Sequence, residues 1–92
     1  MQKTRRYKIY GKVQNVFFRD FTKMQAQNLN IVGWVRNCSD GTVESVATAS
    51  ANAHSIFAEK LAQGPKQAKV SNVKIEEVPL QEFTEFIISP SV

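Results

Sequence analysis

Apolar and polar positions alternate loosely through Tyr7-Lys8-Ile9-Tyr10, inside a run that reads as a first strand ending near Val13. The period then lengthens. Phe17, Phe18, Phe21, Met24, Ala26 and Leu29 recur at helical spacing, with Asp20, Lys23, Gln25 and Gln27 between them, which predicts a helix over Phe17–Leu29. Asn30 follows, and asparagine is second only to glycine in the left-handed turn that stops a helix. Ile31–Arg36 reads as a second strand, and Asp40-Gly41 is a hairpin signal that turns the chain into a third, Thr42–Ala47. A second helix is expected from Ala53 to Gln63, capped by Asn52 or Ser50, with Ala53, Phe57 and Leu61 as its buried stripe. Gly64-Pro65 closes it. Val70–Val78 reads as a fourth strand with Val73 and Ile75 on one face, and Phe83–Ile88 as a short fifth between Pro79 and Pro90.

The order β-α-β-β-α-β with a short extra C-terminal strand is the split βαβ, or ferredoxin-like, plan of the α+β class. Its expected form is an antiparallel sheet with two helices on one face. The first strand, which feeds the first loop, is expected to be central, although its charges also fit a guarded edge. Ninety-two residues make one domain over 1–92, with no repeat and no linker to divide it.

Composition narrows the class further. Apolar residues at 42% and charged residues at 22% are ordinary globular usage, which argues against disorder. Cys38 is the only cysteine, so no disulfide forms within the chain. The basic opening Met1–Lys8 lacks the apolar run of a signal peptide, and no run of about eighteen apolar residues is present to span a membrane. A cytoplasmic, monomeric domain is the expectation. The net charge of +4 favours anionic partners but serves solubility equally well.

The densest chemistry lies in Gly11-Lys12-Val13-Gln14-Asn15-Val16-Phe17-Phe18-Arg19. A short turn there leads into a helix whose first N–H groups are unpaired and carry partial positive charge. An arginine at that place is locally unfavourable by about 0.3–1 kcal/mol. It makes sense if the loop N–H groups and the guanidinium converge on an anion such as phosphate. Otherwise Arg19 pairs with Asp20 or lies in solvent. Arg36-Asn37 ends the second strand before the hairpin turn; Asn37 either tolerates turn geometry or holds a water against a bound phosphate.

Other residues carry weaker signals. His54, the only histidine, is expected on the surface, and Cys38 has no histidine near it in sequence to activate a thiol. No His, Cys and carboxylate cluster has metal-ligand spacing, so neither metal nor cofactor is indicated. Glu76-Glu77 reads as a solvated strand end. Trp34 is expected in the core.

At this point the residues match a family. Gly11 to Arg19 resembles the first signature of the acylphosphatases. Gly33-Trp34-Val35-Arg36-Asn37 followed by Asp40-Gly41-Thr42-Val43-Glu44 resembles their second. The spacing between the signatures fits, as do Ala26 and Leu29 between them, and the resemblance runs from Tyr7 to about Ile88. It implies a small cytosolic hydrolase of ferredoxin-like fold that cleaves the carboxyl–phosphate bond of acyl phosphates without metal or cofactor. Carried over by position, Arg19 would bind phosphate with the loop Gln14, Asn15, Val16, Phe17 and Phe18, and Asn37 would hold the attacking water. The partners implied are a small acyl phosphate and inorganic phosphate, with no membrane and no nucleic acid.

Two positions depart from the family pattern. Asn15 stands where the loop usually has glycine, and Ala49 where the strand after the hairpin usually ends in glycine. If the second site needs positive φ, Ala49 costs about 1 kcal/mol. Two alternatives share the fold. One is a non-catalytic phosphate-binding domain. The other is an RNA-binding module, which wants exposed aromatic and basic residues on a central strand; Gly41–Val46 offers none.

Overall fold

The computed structural model describes all residues, Met1–Val92. Its elements are β1 (Gln2–Lys12), α1 (Phe18–Asn28), β2 (Val32–Asn37), β3 (Val43–Ser50), α2 (Ala51–Gln63), β4 (Lys69–Val78) and β5 (Phe86–Ile88). The punctuation residues act as their chemistry requires. Asn30 is left-handed at φ 57, and Ile31 N–H reaches back to the Ala26 carbonyl at 2.8 Å, closing α1 in a Schellman turn. Ser50 caps α2 by accepting from Ala53 N–H at 3.1 Å, so that helix begins two residues before the expected Ala53. At the hairpin, Asp40 Oδ1 accepts from both the N–H and the hydroxyl of Thr42, at 3.1 and 2.6 Å.

The strands lie in the order β4-β1-β3-β2-β5. β1 pairs antiparallel with β3 and β4, and is interior rather than an edge; β2 pairs antiparallel with β3. β5 runs parallel to β2, with Gly33 opposite Phe86 and Val35 opposite Ile88. The sheet is therefore mixed, which corrects the expectation of an all-antiparallel sheet. The cause is the connection: residues 79–85 carry the chain from the β4 edge to the opposite edge, where β5 enters in the direction of β2.

One face of the sheet is apolar and covered by helices. Tyr7, Ile9, Val35, Val43, Ala47 and Phe86 are buried there. Phe57 of α2 meets Tyr7 and Phe86 edge-on, at ring-centroid distances of 5.2 and 6.2 Å. The buried positions of α1 are Phe18, Thr22 and Ala26, whereas Phe17 and Met24 of the expected stripe are exposed. The other face carries ion pairs: Arg6 reaches Glu76 at 2.8 Å, and Arg36 reaches Glu44 at 2.8 Å. Trp34 lies on this open face, half-buried beneath the Arg36 guanidinium at 4.6 Å, and not in the helix-side core.

Ala49 has no positive φ; it lies in regular pairing opposite Lys3, so the anticipated strain does not arise. No helix is long and apolar enough to cross a membrane.

The topology fixes where a site can form. β1 and β2 are each antiparallel to β3, hence parallel to one another, and β5 shares their direction. Their C-terminal ends all emerge at the same end of the sheet. The loop after β1, Asn37 at the end of β2 and Ile88 at the end of β5 converge there.

Candidate active site

Residues 13–17 join β1 to α1, and buried side chains pin them down. Val13, Val16 and Phe18 are almost fully buried, each burial stabilising by about 1.5–3 kcal/mol, while Asn15 and Phe17 point outward. Asn15 (φ 60) and Phe17 (φ 63, ψ 25) are both left-handed. Alternation of this kind turns successive N–H groups toward one side and makes an anion-binding concavity. No backbone hydrogen bond outside the helices and strands is donated by Asn15, Val16 or Phe17, and Phe17 supplies no side-chain cap to α1. These donors add to the unpaired first-turn N–H groups of the helix.

A cavity of about 460 Å³ opens at this point. Asn15, Phe17, Phe18, Arg19 and Asn37, all expected site residues, line it. Arg19 is half-buried and takes part in none of the chain's ion pairs, so it pairs with neither Asp20 nor any other carboxylate. The Oδ1 of Asn37 is buried and has no hydrogen-bond partner. A buried acceptor left unmade costs about 1–3 kcal/mol, which makes it a functional signal.

Two expected members stand apart. Val16 is buried beneath the loop, and neither it nor Gln14 is among the lining residues. The side-chain amide of Gln14 instead donates to the carbonyls of Cys38 and Thr42, at 2.8 and 2.9 Å, tying the loop to the β2–β3 turn. Three lining residues were not anticipated: Val13, Asp20 and Ile88. Asp20 was visible as the neighbour of Arg19, but Ile88 reaches the cavity only because β5 is parallel to β2.

The hairpin beside the cavity is held by charge. Hydrogen bonds from the Thr42 hydroxyl and N–H, together with Lys8, bring the Asp40 carboxyl down to about 2. Lys8 Nζ lies 3.0 Å from Asp40 Oδ2, and this contact raises its own pKa. His54 is outside the site and, against expectation, fully buried. Its Nε2 donates to the Lys3 carbonyl at 2.8 Å, so Nδ1 accepts from the Tyr7 hydroxyl; burial pushes its pKa down and that of Tyr7 up. Cys38 Sγ lies 3.9 Å from Glu44 Oε1. No group of three or more His, Cys, Asp or Glu side chains is placed to hold a metal ion.

One end of a ferredoxin-like sheet thus brings together a loop shaped for an anion, an arginine outside any ion pair and an asparagine oxygen without a partner. The family model for Acylphosphatase matches residues 5–88. An acylphosphatase of Coxiella burnetii is 44% identical over 78 residues, covering 85% of this chain and 82% of that protein. The solved structure of an acylphosphatase from the same organism superposes with a TM-score of 0.93 at 39% identity, over 96% of this chain and 93% of the other. The crystal structure of acylphosphatase from Bacillus subtilis gives 0.92 at 34% identity, over 97% and 99%. The chain belongs to the acylphosphatase family, and is an enzyme of that hydrolase class.

Proposed function

We propose that the chain hydrolyses acyl phosphates by in-line attack of a water held by Asn37 on a phosphoryl group bound by Arg19 and the loop. The observation that carries this reading is the unpartnered Oδ1 of Asn37, a residue that lines the same cavity as the unpaired Arg19 and as Asn15 and Phe17 of a loop whose N–H groups are free. A water that donates to Oδ1 has its lone pair free to face phosphorus. Such an arrangement supplies orientation, worth several kcal/mol when reacting atoms are held at about 3–3.5 Å.

Arg19 offers parallel N–H donors to two phosphate oxygens, and the loop offers backbone donors to the others. These neutralise the equatorial oxygens as charge spreads over them in the transition state. The bond from water oxygen to phosphorus forms as the bond from phosphorus to the acyl oxygen breaks, and the electron pair leaves with the carboxylate. Loss of a group whose conjugate acid has a pKa near ~4 needs no general acid. The cavity's one carboxylate, Asp20, lies on the first turn of α1, and we assign the proton of the water to the phosphate itself.

Turnover of benzoyl phosphate at neutral pH tests the assignment. Arg19→Ala is expected to lose both substrate binding and turnover. Asn37→Ala is expected to keep competitive inhibition by inorganic phosphate while kcat falls on the order of 10²–10³-fold, the range for removal of one transition-state contact. Full turnover in Asn37→Ala would remove the water-holding role. A native chain that binds phosphate and turns nothing over would be a phosphate-binding relative.

A further inference from the structure

We propose that the outer edge of β4 is an interface for a second copy of this chain, in place of the expected monomer. The two β4 strands pair antiparallel about Ile75 and join two sheets across a two-fold axis.

The edge is open and long. β4 pairs with β1 on one side and has no strand on the other, and it runs for ten residues where the opposite edge strand, β5, has three. No backbone group of β4 takes part in the hydrogen bonds made outside helices and strands, so its outward N–H and C=O groups are left to water. The strand is interrupted once. Tyr10 pairs with Asn72 and Gly11 with Val70, so Ser71 is an unpaired bulge that bends the edge. Pro79, which lacks an N–H, follows the other end. The regular part of the edge is therefore Asn72–Val78, and its middle residue is Ile75.

Charges on an edge strand ordinarily keep a second copy away. Here their order makes the strand complementary to itself. About a two-fold axis normal to the sheet, the central residue meets its own copy and its neighbours meet crosswise. With Ile75 at the centre, Lys74 lies opposite Glu76 of the second copy, and Glu76 opposite Lys74 of the second copy. Centring on Lys74 or on Glu76 instead sets like charges directly opposite, which is unfavourable.

The single chain leaves both groups ready for this contact. Lys74 stands opposite Lys8, whose ammonium lies 3.0 Å from Asp40, and Lys74 itself takes part in no ion pair. Like charges in register are a cost that a carboxylate beside Lys74 would relieve. Glu76 meets Arg6 through Oε1 at 2.8 Å and is 55% exposed, which leaves Oε2 for the lysine of the second copy. Ile75 is 43% exposed, on the face of Tyr7, and would cover its own copy. Glu77 falls opposite Val73 and stays with Lys3 and Arg5 of its own chain, at 3.7 and 3.9 Å. None of these β4 residues lines the cavity. So short an interface gives a weak dimer, formed at high concentration.

Sedimentation equilibrium tests the proposal. From about 10 µM to about 1 mM the mean mass of the native chain should rise toward that of two chains. Lys74→Glu and Glu76→Lys each set two like-charge pairs across the axis, and each should raise the dissociation constant at least about tenfold at low salt. Both residues are exposed, so urea midpoints should confirm that the variants stay folded. An equimolar mixture of the two variants restores opposite charges at every crosswise position and should associate at least as tightly as the native chain. A native chain that stays monomeric throughout would overturn the proposal and leave the edge to another kind of partner. Association unmoved by both variants would put the contact on a different surface. Failure of the mixture to associate would rule out the Ile75-centred pairing, and either result overturns the proposal as well.

Discussion

Gln14 reaches across from the loop to the backbone of Cys38, the residue after Asn37: its Nε2 donates to that carbonyl at 2.8 Å, and to the Thr42 carbonyl at 2.9 Å. One amide thus bridges the loop proposed to hold phosphate and the strand end proposed to hold water. Both carbonyls have a second donor, Gly41 N–H on Cys38 and Cys38 N–H on Thr42, so neither is orphaned when Gln14 is removed. Gln14→Leu is therefore expected to cost only about 1–2 kcal/mol of stability. Its larger effect should fall on registration of the two halves. A misplacement of about 1 Å can cost on the order of 10²-fold in rate. We expect kcat to fall at least tenfold with phosphate inhibition nearly unchanged, read from steady-state kinetics beside a urea midpoint. A parallel loss of phosphate binding would show that Gln14 shapes the cradle itself.

Asn15 supplies a backbone test of the same loop. At φ 60 it already occupies the conformation that glycine would take there, with its side chain exposed. Asn15→Gly should keep turnover within about threefold and lower stability by about 0.4–1 kcal/mol through the more flexible unfolded chain. Asn15→Val should cost a further ~1–2 kcal/mol, because a β-branched residue does not settle in the left-handed region. Kinetics and denaturation of the two variants check this. A marked rate increase in Asn15→Gly would mean that the asparagine side chain crowds the substrate.

Much of the plan was legible because its signals are local. Asn30, Ser50 and Gly64-Pro65 act at the backbone of their own neighbourhood, and each stops or caps a helix where a sequence reading puts it. Arg19 was a candidate for the same reason, being out of place at a helix start unless an anion uses it, whereas Asn37 fitted an ordinary turn role as well as a water-holding one; the fold brings both to one cavity. The misses are non-local. The direction of β5 depends on which edge the chain reaches after β4, and seven connecting residues carry no sign of it. With that direction went Ile88, invisible as a cavity residue. The length of β1 was hidden because its open face satisfies Arg6 and Lys8 through Glu76, Glu44 and Asp40 rather than through apolar packing. His54 was misplaced because partners 47 and 51 residues away in the chain neutralise the cost of burying it.

That histidine gives the fold a pH dependence. Burial lowers its folded-state pKa below the ordinary value of about 6.5. Between the two values the unfolded chain binds more protons than the folded one, so stability rises with pH through that window. The contribution is complete above about 6.5 and is lost as pH falls through the folded-state value. Protonation also removes the acceptor that Nδ1 offers to the Tyr7 hydroxyl. As His54 is the only histidine, its ring protons can be followed without ambiguity. Titration by NMR should give a midpoint below 6.5, and urea midpoints should fall from pH 7.5 to pH 5. A midpoint above 6.5 would place a stabilised imidazolium in the core and reverse the sign.

Gly33 carries the heaviest steric demand in the sheet. It sits at φ 146 opposite Ala47, where an added Cβ would run into the Val46 carbonyl oxygen and lie 2.9 Å from the Ala47 Cα. Both obstacles are backbone of β3, which is paired on its other side with β1 and has no room to retreat. Gly33 also donates its N–H to the Glu85 carbonyl at 2.9 Å and pairs with Phe86, so pushing β2 away from β3 disturbs β5 as well. Gly33→Ala is expected to destabilise by about 3 kcal/mol or more, at the severe end for a single added methyl. Because Ile88 and Asn37 hang from the strands that move, the loss of benzoyl phosphate turnover should exceed the fraction unfolded at the assay temperature. Activity that instead tracks the folded fraction would mean that the displaced strands leave the cavity end of the sheet in place.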